Sequence, residues 1–293
     1  MKINIPTEIV DSERLENIVS HHHLGGWLYS RSQDNPKFEI FKNDWMRQIS
    51  LNQSQRQVWE QIIENWPNHL RKPIVLKGMA FELMGIYGPG ERFKSDIDLL
   101  ADEASIEFII SKLKSLYQVE IVKEKKWWGN SHKQTIELQC EGNSVIIEFH
   151  QQLFYHLPNV QWQHFKNSEQ NYLLEDHAHL IYLMGHFVFQ HNCLKLYWLL
   201  DIVLFLEKKK DWDLEKLKNI AKMWKLETAF EWSLSLAKEF CDQTFFDIKT
   251  TKQVNLSELW EGRQSGLAYW WRKHQAKDSL ITAIAYDLKW IFK

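Results

Sequence analysis

The chain has 293 residues with 36 Lys and Arg against 38 Asp and Glu, a formal net charge of -2, so no global positive field draws it to nucleic acid or acidic membranes. Cys140, Cys193 and Cys241 lie far apart without CxxC spacing, which excludes a disulfide framework or thiolate zinc site as the organising feature. The opening MKINIPTEIVDSERLENIV lacks the pattern of a secretory leader, and the most apolar stretches fall well short of the roughly 20 residues that span a bilayer, so a cytoplasmic protein away from membranes is expected.

Residues 1–70 read as mainly helical, with Ile9, Leu15 and Ile18 near helical spacing and Trp45, Ile49, Val58, Ile62 and Trp66 recurring within 44–66, which Pro67 should end. His21-His22-His23 invites a metal reading. Adjacent helical positions do not face one another, however, and no carboxylate lies near, so a solvated helix end is expected. At Pro73 the character changes. Ile74-Val75-Leu76 suits a strand, Lys77-Gly78 a turn, and Met79 to Tyr87 a helix that stops at Gly88-Pro89-Gly90. Asp96-Ile97-Asp98-Leu99-Leu100 then alternates as a strand with both aspartates on one face.

A helix is expected over Ala104–Leu116, followed by strands around Gln118–Trp127, Gln134–Cys140 and Ser144–His150, with turns at Gly129-Asn130 and Gly142-Asn143. In the last strand Val145, Ile147 and Phe149 share one face, and Ile146, Glu148 and His150 the other. From about Glu175 the pattern is helical again, through Leu180–Phe187, Leu196–Leu206 and Leu214–Phe240. The expected class is α+β: a mixed β-sheet core with flanking helices and a C-terminal helical subdomain. The expected division is 1–70, 71–165 and 166–293.

Aspartates two apart on one strand place their Cβ atoms roughly 7 Å apart, so both carboxylates can converge on a cation. Magnesium prefers carboxylate oxygens together with substrate phosphates, and two-ion sites stabilise the attacking and leaving oxygens of a phosphoryl displacement. An Asp-x-Asp alone also occurs on ordinary surface strands and turns, so context must decide.

The context is a resemblance. IVLKGMAFELMGIYGPGERFKSDIDLL, residues 74–100, resembles the signature of the uncharacterised bacterial nucleotidyltransferases of the polymerase-β-like superfamily; VIIEFHQQL, 145–153, is similar to their acidic strand, and HLIYLMGHFVFQHNCLKLYWLLDIVLFL to their C-terminal helices. The resemblance implies a nucleotidyltransferase-type core. It implies that Asp96, Asp98 and Glu148 are the catalytic acids holding Mg²⁺, two ions with Mn²⁺ as an alternative, and that Lys77, Gly78, Arg92 and Ser95 contact the nucleotide. The implied reaction moves NMP from an NTP, ATP among them, to a hydroxyl of a small molecule, a peptide or protein, or an RNA, with release of pyrophosphate.

Many members carry Gly-Ser or Gly-Gly in the phosphate-binding turn, where this chain has Lys77-Gly78 and a longer gap to the aspartates. That departure motivates a second reading, a catalytically silent nucleotide- or partner-binding relative; analogy alone supplies a third, a toxin–antitoxin or defence component. For Lys77 a solvated strand end, and for Gly78 a helix-start residue, stand beside phosphate binding. His150 shares the Glu148 face and either orients a ligand or bonds at the sheet edge. His186, His191 and Asp201 sit among apolar helical residues and read as structural. The Lys123–Lys133 segment with Trp127 and Trp128, and the terminal Trp270-Trp271-Arg272-Lys273, mix cations with aromatics; packing and base stacking both account for that composition. Acceptor, base preference and oligomeric state are not legible.

Overall fold

The structure, a computed structural model, describes residues 3–10, 13–32, 35–122, 133–154, 172–209, 211–246, 255–261, 266–279, 281 and 283–284. In chain order the elements are α1 (Thr7–Val10), α2 (Leu15–His21), α3 (Gly25–Arg31), a 3₁₀ turn (Pro36–Phe41), α4 (Lys42–Ile63), β1 (Ile74–Val75), α5 (Lys77–Leu83), β2 (Asp96–Leu100), α6 (Glu103–Leu116), β3 (Val119–Val122), β4 (Lys133–Cys140) and β5 (Asn143–His150). They continue with α7 (Asp176–Met184), a π turn (Gly185–Gln190), α8 (Leu196–Lys208), α9 (Leu214–Met223), α10 (Glu227–Cys241), α11 (Leu256–Trp260) and α12 (Gly266–Gln275). The expected turn at Gly129-Asn130 and most of the Lys123–Lys133 cation-aromatic segment lie outside the described residues, as does the Trp270 side chain; Trp271 is exposed.

Two compact units result: the described residues of 1–25 join those of 176–284, and those of 26–175 form the other. Beside the three consecutive blocks expected from sequence, the first 25 residues thus group with the C-terminal helices.

The second unit is a five-stranded mixed sheet in the order β1-β2-β5-β4-β3. β1 runs antiparallel to β2, β2 parallel to β5, and β3, β4 and β5 form an antiparallel meander. Period-2 alternation decides which face is buried. Ile97 and Leu99 of β2, Ile136 and Leu138 of β4, and Val145, Ile147 and Phe149 of β5 pack against Val58, Trp59 and Ile62 of α4 and Ile106, Ile109 and Leu113 of α6. Asp102 caps α6 by accepting from the Ser105 amide at 2.9 Å. The opposite face of β2 and β5 carries Asp96, Asp98, Glu148 and His150 together with Leu100 and Ile146.

The first unit corrects two expectations. The helix expected over 214–240 is broken into α9 and α10: Lys225 takes φ 54°, and the Leu226 amide donates to Ala221 O at 2.8 Å, closing α9 with a left-handed cap. The solvated helix end expected at His21–His23 fails at His22, which is fully buried, with Nε2 3.2 Å from Trp260 O and Nδ1 accepting from the Leu196 amide at 3.3 Å. His21 is exposed, as expected.

Burial, partly offset by the Trp260 carbonyl, lowers the His22 pKa from 6.5 to about 3. The folded state therefore resists a proton that the unfolded chain accepts below its ordinary value, so stability is whole above about pH 6.5 and is lost as pH falls toward 3. Between pH 7 and 5 the expected loss is about 2 kcal/mol, from about 1.4 kcal/mol per pH unit, and His23, lowered to about 4 chiefly by burial, steepens it. Urea unfolding at both pH values checks this. His22→Gln should flatten the dependence, and an unchanged slope would remove His22 as its source.

Candidate metal centre

Strand register builds the site. In the parallel β2–β5 pair, Asp98 lies opposite Glu148, Asp96 opposite Ile146 and Leu100 opposite His150. Ile97 and Leu99 on the alternate face are locked into the core, so Asp98 cannot turn inward without a slip of the whole strand. Asp98 and Glu148 are thus lateral neighbours roughly 4.8 Å apart in backbone, with His150 one diagonal further along. Asp98, Glu148 and His150 present ligand atoms all within 4.8 Å of one another, and among the described residues they are the cluster able to hold a metal ion. Asp96, half-buried on the same face of β2, stands diagonally from Glu148 and outside that cluster.

Two nitrogen donors converge on Asp98 Oδ1: Lys77 Nζ at 2.7 Å and His150 Nε2 at 2.8 Å. His150 Nε2 is also 3.8 Å from Glu148 Oε2. Asp98 is only 3 % exposed, and burial alone would raise its pKa; Lys77 and His150 outweigh it and hold the carboxyl well below the usual range. Lys77 reaches it because the Leu76 amide donates to Asp98 O at 3.0 Å, extending the β1–β2 pairing by one residue. The chain then turns into α5 with Lys77 at φ 49°, a region that costs an L-residue about 1–2 kcal/mol.

The other residues expected at the nucleotide sit differently. Ser95 is exposed just before β2. Gly78 and Arg92 line a cleft of about 270 Å³ together with residues of α4 and the 87–94 loop, and Asp96, Asp98, Glu148 and His150 do not line it. Gly78 is buried beneath two side chains: a Cβ there would lie 2.3 Å from Arg92 Nη1 and 2.4 Å from Lys94 Cγ. Gly78→Ala should therefore cost about 1–3 kcal/mol through overpacking. An unfolding midpoint equal to that of the natural chain would show instead that the two cations yield freely.

The loop carrying Arg92 is clamped by Glu91, whose partners no spacing pattern reveals. Its carboxylate accepts from Arg31 Nε at 2.7 Å, Arg31 Nη2 at 3.0 Å, Ser30 Oγ at 2.8 Å and the Gly88 amide at 2.8 Å. Burial works against its ionisation, but these donors hold its pKa below the ordinary value. The buried Lys94 ammonium meets Glu82, a second pairing that local spacing does not reveal. Of the residues read as structural, His186 and Asp201 are buried, and the His191 ring lies tilted 4.4 Å from those of both His186 and Trp198.

The model of the uncharacterised nucleotidyltransferase family matches residues 9–242, and the chain belongs to that family. No curated protein matches it. Among solved structures, JHP933 from Helicobacter pylori is similar at 12% identity over 82% of this chain and 96% of its own, with a TM-score of 0.41. A presumed nucleotidyltransferase from H. pylori is similar at 12% identity over 80% of this chain and 97% of its own, with a TM-score of 0.40.

Proposed function

We propose that the protein is a magnesium-dependent nucleotidyltransferase that moves NMP from an NTP to a hydroxyl of an acceptor, releasing pyrophosphate. The observation that carries this reading is the lateral pairing of Asp98 with Glu148 across β2 and β5, within a cluster of donor atoms no more than 4.8 Å apart. Two carboxylates on rigid strands suit a hard divalent cation, and the imidazole of His150 beside them also suits manganese. Asp98 and Glu148 would hold the ion, with Asp96 completing the set as substrate phosphate arrives. A bound cation of this kind supplies charge neutralisation at the α-phosphate and at the leaving pyrophosphate.

The protein's own groups account for the rest. The acceptor oxygen forms the new bond to the α-phosphorus, the bond to the α–β bridging oxygen breaks, and the hydroxyl proton passes to a Glu148 carboxylate oxygen. His150, bonded to Asp98 at 2.8 Å, orients that carboxylate and stands 3.8 Å from Glu148 Oε2. Lys77 stands where it can exchange Asp98 for a phosphate oxygen, and Ser95 can donate from the loop before β2. No described helix is long and apolar enough to cross a membrane.

The Lys77–Asp98 ion pair also favours a second reading, a relative that binds nucleotide without turnover, because an ammonium already serves the carboxylate. Incubation with α-labelled NTP, a divalent cation and a panel of small-molecule, protein and RNA acceptors separates the two. Label in an acceptor with equimolar pyrophosphate supports transfer, and Glu148→Gln should then lower the rate at least about 100-fold. Nucleotide binding with no pyrophosphate release would establish the second reading.

A further inference from the structure

Asp98 Oδ1 meets two nitrogen groups at once, Lys77 Nζ at 2.7 Å and His150 Nε2 at 2.8 Å, and a carboxylate oxygen has about two lone-pair sites. A divalent cation that binds this oxygen therefore needs one of the two to leave. They are not equivalent. A neutral imidazole is itself a metal ligand, and His150 belongs with Asp98 and Glu148 to the ligand atoms lying within 4.8 Å of one another. The Lys77 ammonium has three donors and no acceptor, so it cannot join a coordination sphere. Its charge also repels any second cation brought to the same oxygen, and water screens that repulsion poorly because Asp98 is buried.

The root of Lys77 is tied down while its tip has a way out. The Leu76 amide donates to Asp98 O at 3.0 Å and α5 begins at Lys77, which fixes the backbone; the four-carbon stem keeps its rotatable bonds, and the side chain retains 16 % exposure toward solvent. We infer that Lys77 is a built-in counter-ion of the metal-free centre, with which a divalent cation must compete for Asp98. The inference rests on the reading of Asp98 and Glu148 as a metal centre and adds regulation to it. Ion affinity is held low in the empty protein and rises when an anion engages the ammonium, and such a coupling is reciprocal, so the ion tightens the anion in turn.

Titration with Mn²⁺ in the absence of nucleotide, followed by electron paramagnetic resonance, tests the counter-ion. Lys77→Met removes the charge and keeps an unbranched stem, so it should tighten Mn²⁺ at least about 10-fold relative to the natural chain; Lys77→Arg keeps a cation and should stay within about 3-fold. Lys77→Gln keeps the test sound if Lys77→Met fails to fold. In an Asp98→Asn background the same Lys77→Met change should gain less than about 3-fold, because the ammonium then has no carboxylate to occupy. Equal or weaker Mn²⁺ binding by the neutral variants, with the natural chain still binding through Asp98, would overturn the counter-ion and leave the metal centre standing. A gain as large in Lys77→Arg would trace the effect to packing rather than charge and overturn it as well. Mn²⁺ binding by none of these forms would overturn both the inference and the metal-centre reading on which it rests.

Discussion

Asp98→Asn should lower metal-dependent NMP transfer at least about 100-fold while leaving the protein folded. Even residues that only support a ligand cost about 10–100-fold when changed, and Asp98 is the position at which the whole group meets. Its carboxylate touches Lys77 and His150 and lies opposite Glu148 on the neighbouring strand. Asparagine keeps the shape and one oxygen but removes the charge that a divalent cation needs. Circular dichroism of the variant should match the natural chain, and Mn²⁺ binding followed by electron paramagnetic resonance should weaken in step with transfer. Transfer at the natural rate would remove Asp98 from the reaction.

Phe149→Ala should destabilise the sheet-bearing unit by about 3–5 kcal/mol, the range for deleting a buried aromatic ring. Phe149 is fully buried on the inner face of β5, paired in register with Leu99 of β2, and belongs to the core between the sheet and the α4 and α6 helices. Glu148 and His150 flank it on the chain, so the ring that anchors the core side of β5 also fixes where those two groups point on the other side. Differential scanning calorimetry should show a lower transition, and Mn²⁺ affinity should fall at temperatures where the unit is still folded. A loss below about 1 kcal/mol would mean that the core recloses around the gap.

How far the site was legible follows from the range of each interaction. The alternation of Asp96-Ile97-Asp98-Leu99 and of Val145 through His150 is local, so the faces of β2 and β5, and the turn between β1 and α5, could be read directly. Register is not local. That Asp98 rather than Asp96 lies opposite Glu148, and that His150 joins them, depends on pairing strands some fifty residues apart. The apolar residues could have narrowed the choice, because Ile97 and Leu99 must meet Ile147 and Phe149 in one core layer.

Lys77 and Arg92 are singled out by their place in the motif, but their partners are not. Lys77 reaches Asp98 through the Leu76–Asp98 backbone bond, and Arg92 rests on Gly78 and Phe81. The clamp of Arg31 on Glu91 and the cleft wall from Arg56 lie outside any spacing pattern, since their partners are contributed by α3 and α4. His22 teaches the same lesson in the other unit. Three adjacent histidines suggested solvent, and only partners 174 and 238 residues away, the Leu196 amide donating to Nδ1 and the Trp260 carbonyl accepting from Nε2, satisfy the middle one in the core.

The central claim is that the Asp98–Glu148 pair is a working nucleotide–metal site, and thermal unfolding with each of the four NTPs, with and without Mg²⁺, tests it without knowledge of the acceptor. A ligand at about 100 times its dissociation constant stabilises the folded state by about 2.7 kcal/mol. The account predicts stabilisation of that order by at least one NTP, dependent on Mg²⁺ and lost in Asp98→Asn. Stabilisation equal in the variant, or none with any NTP and Mg²⁺, would contradict it.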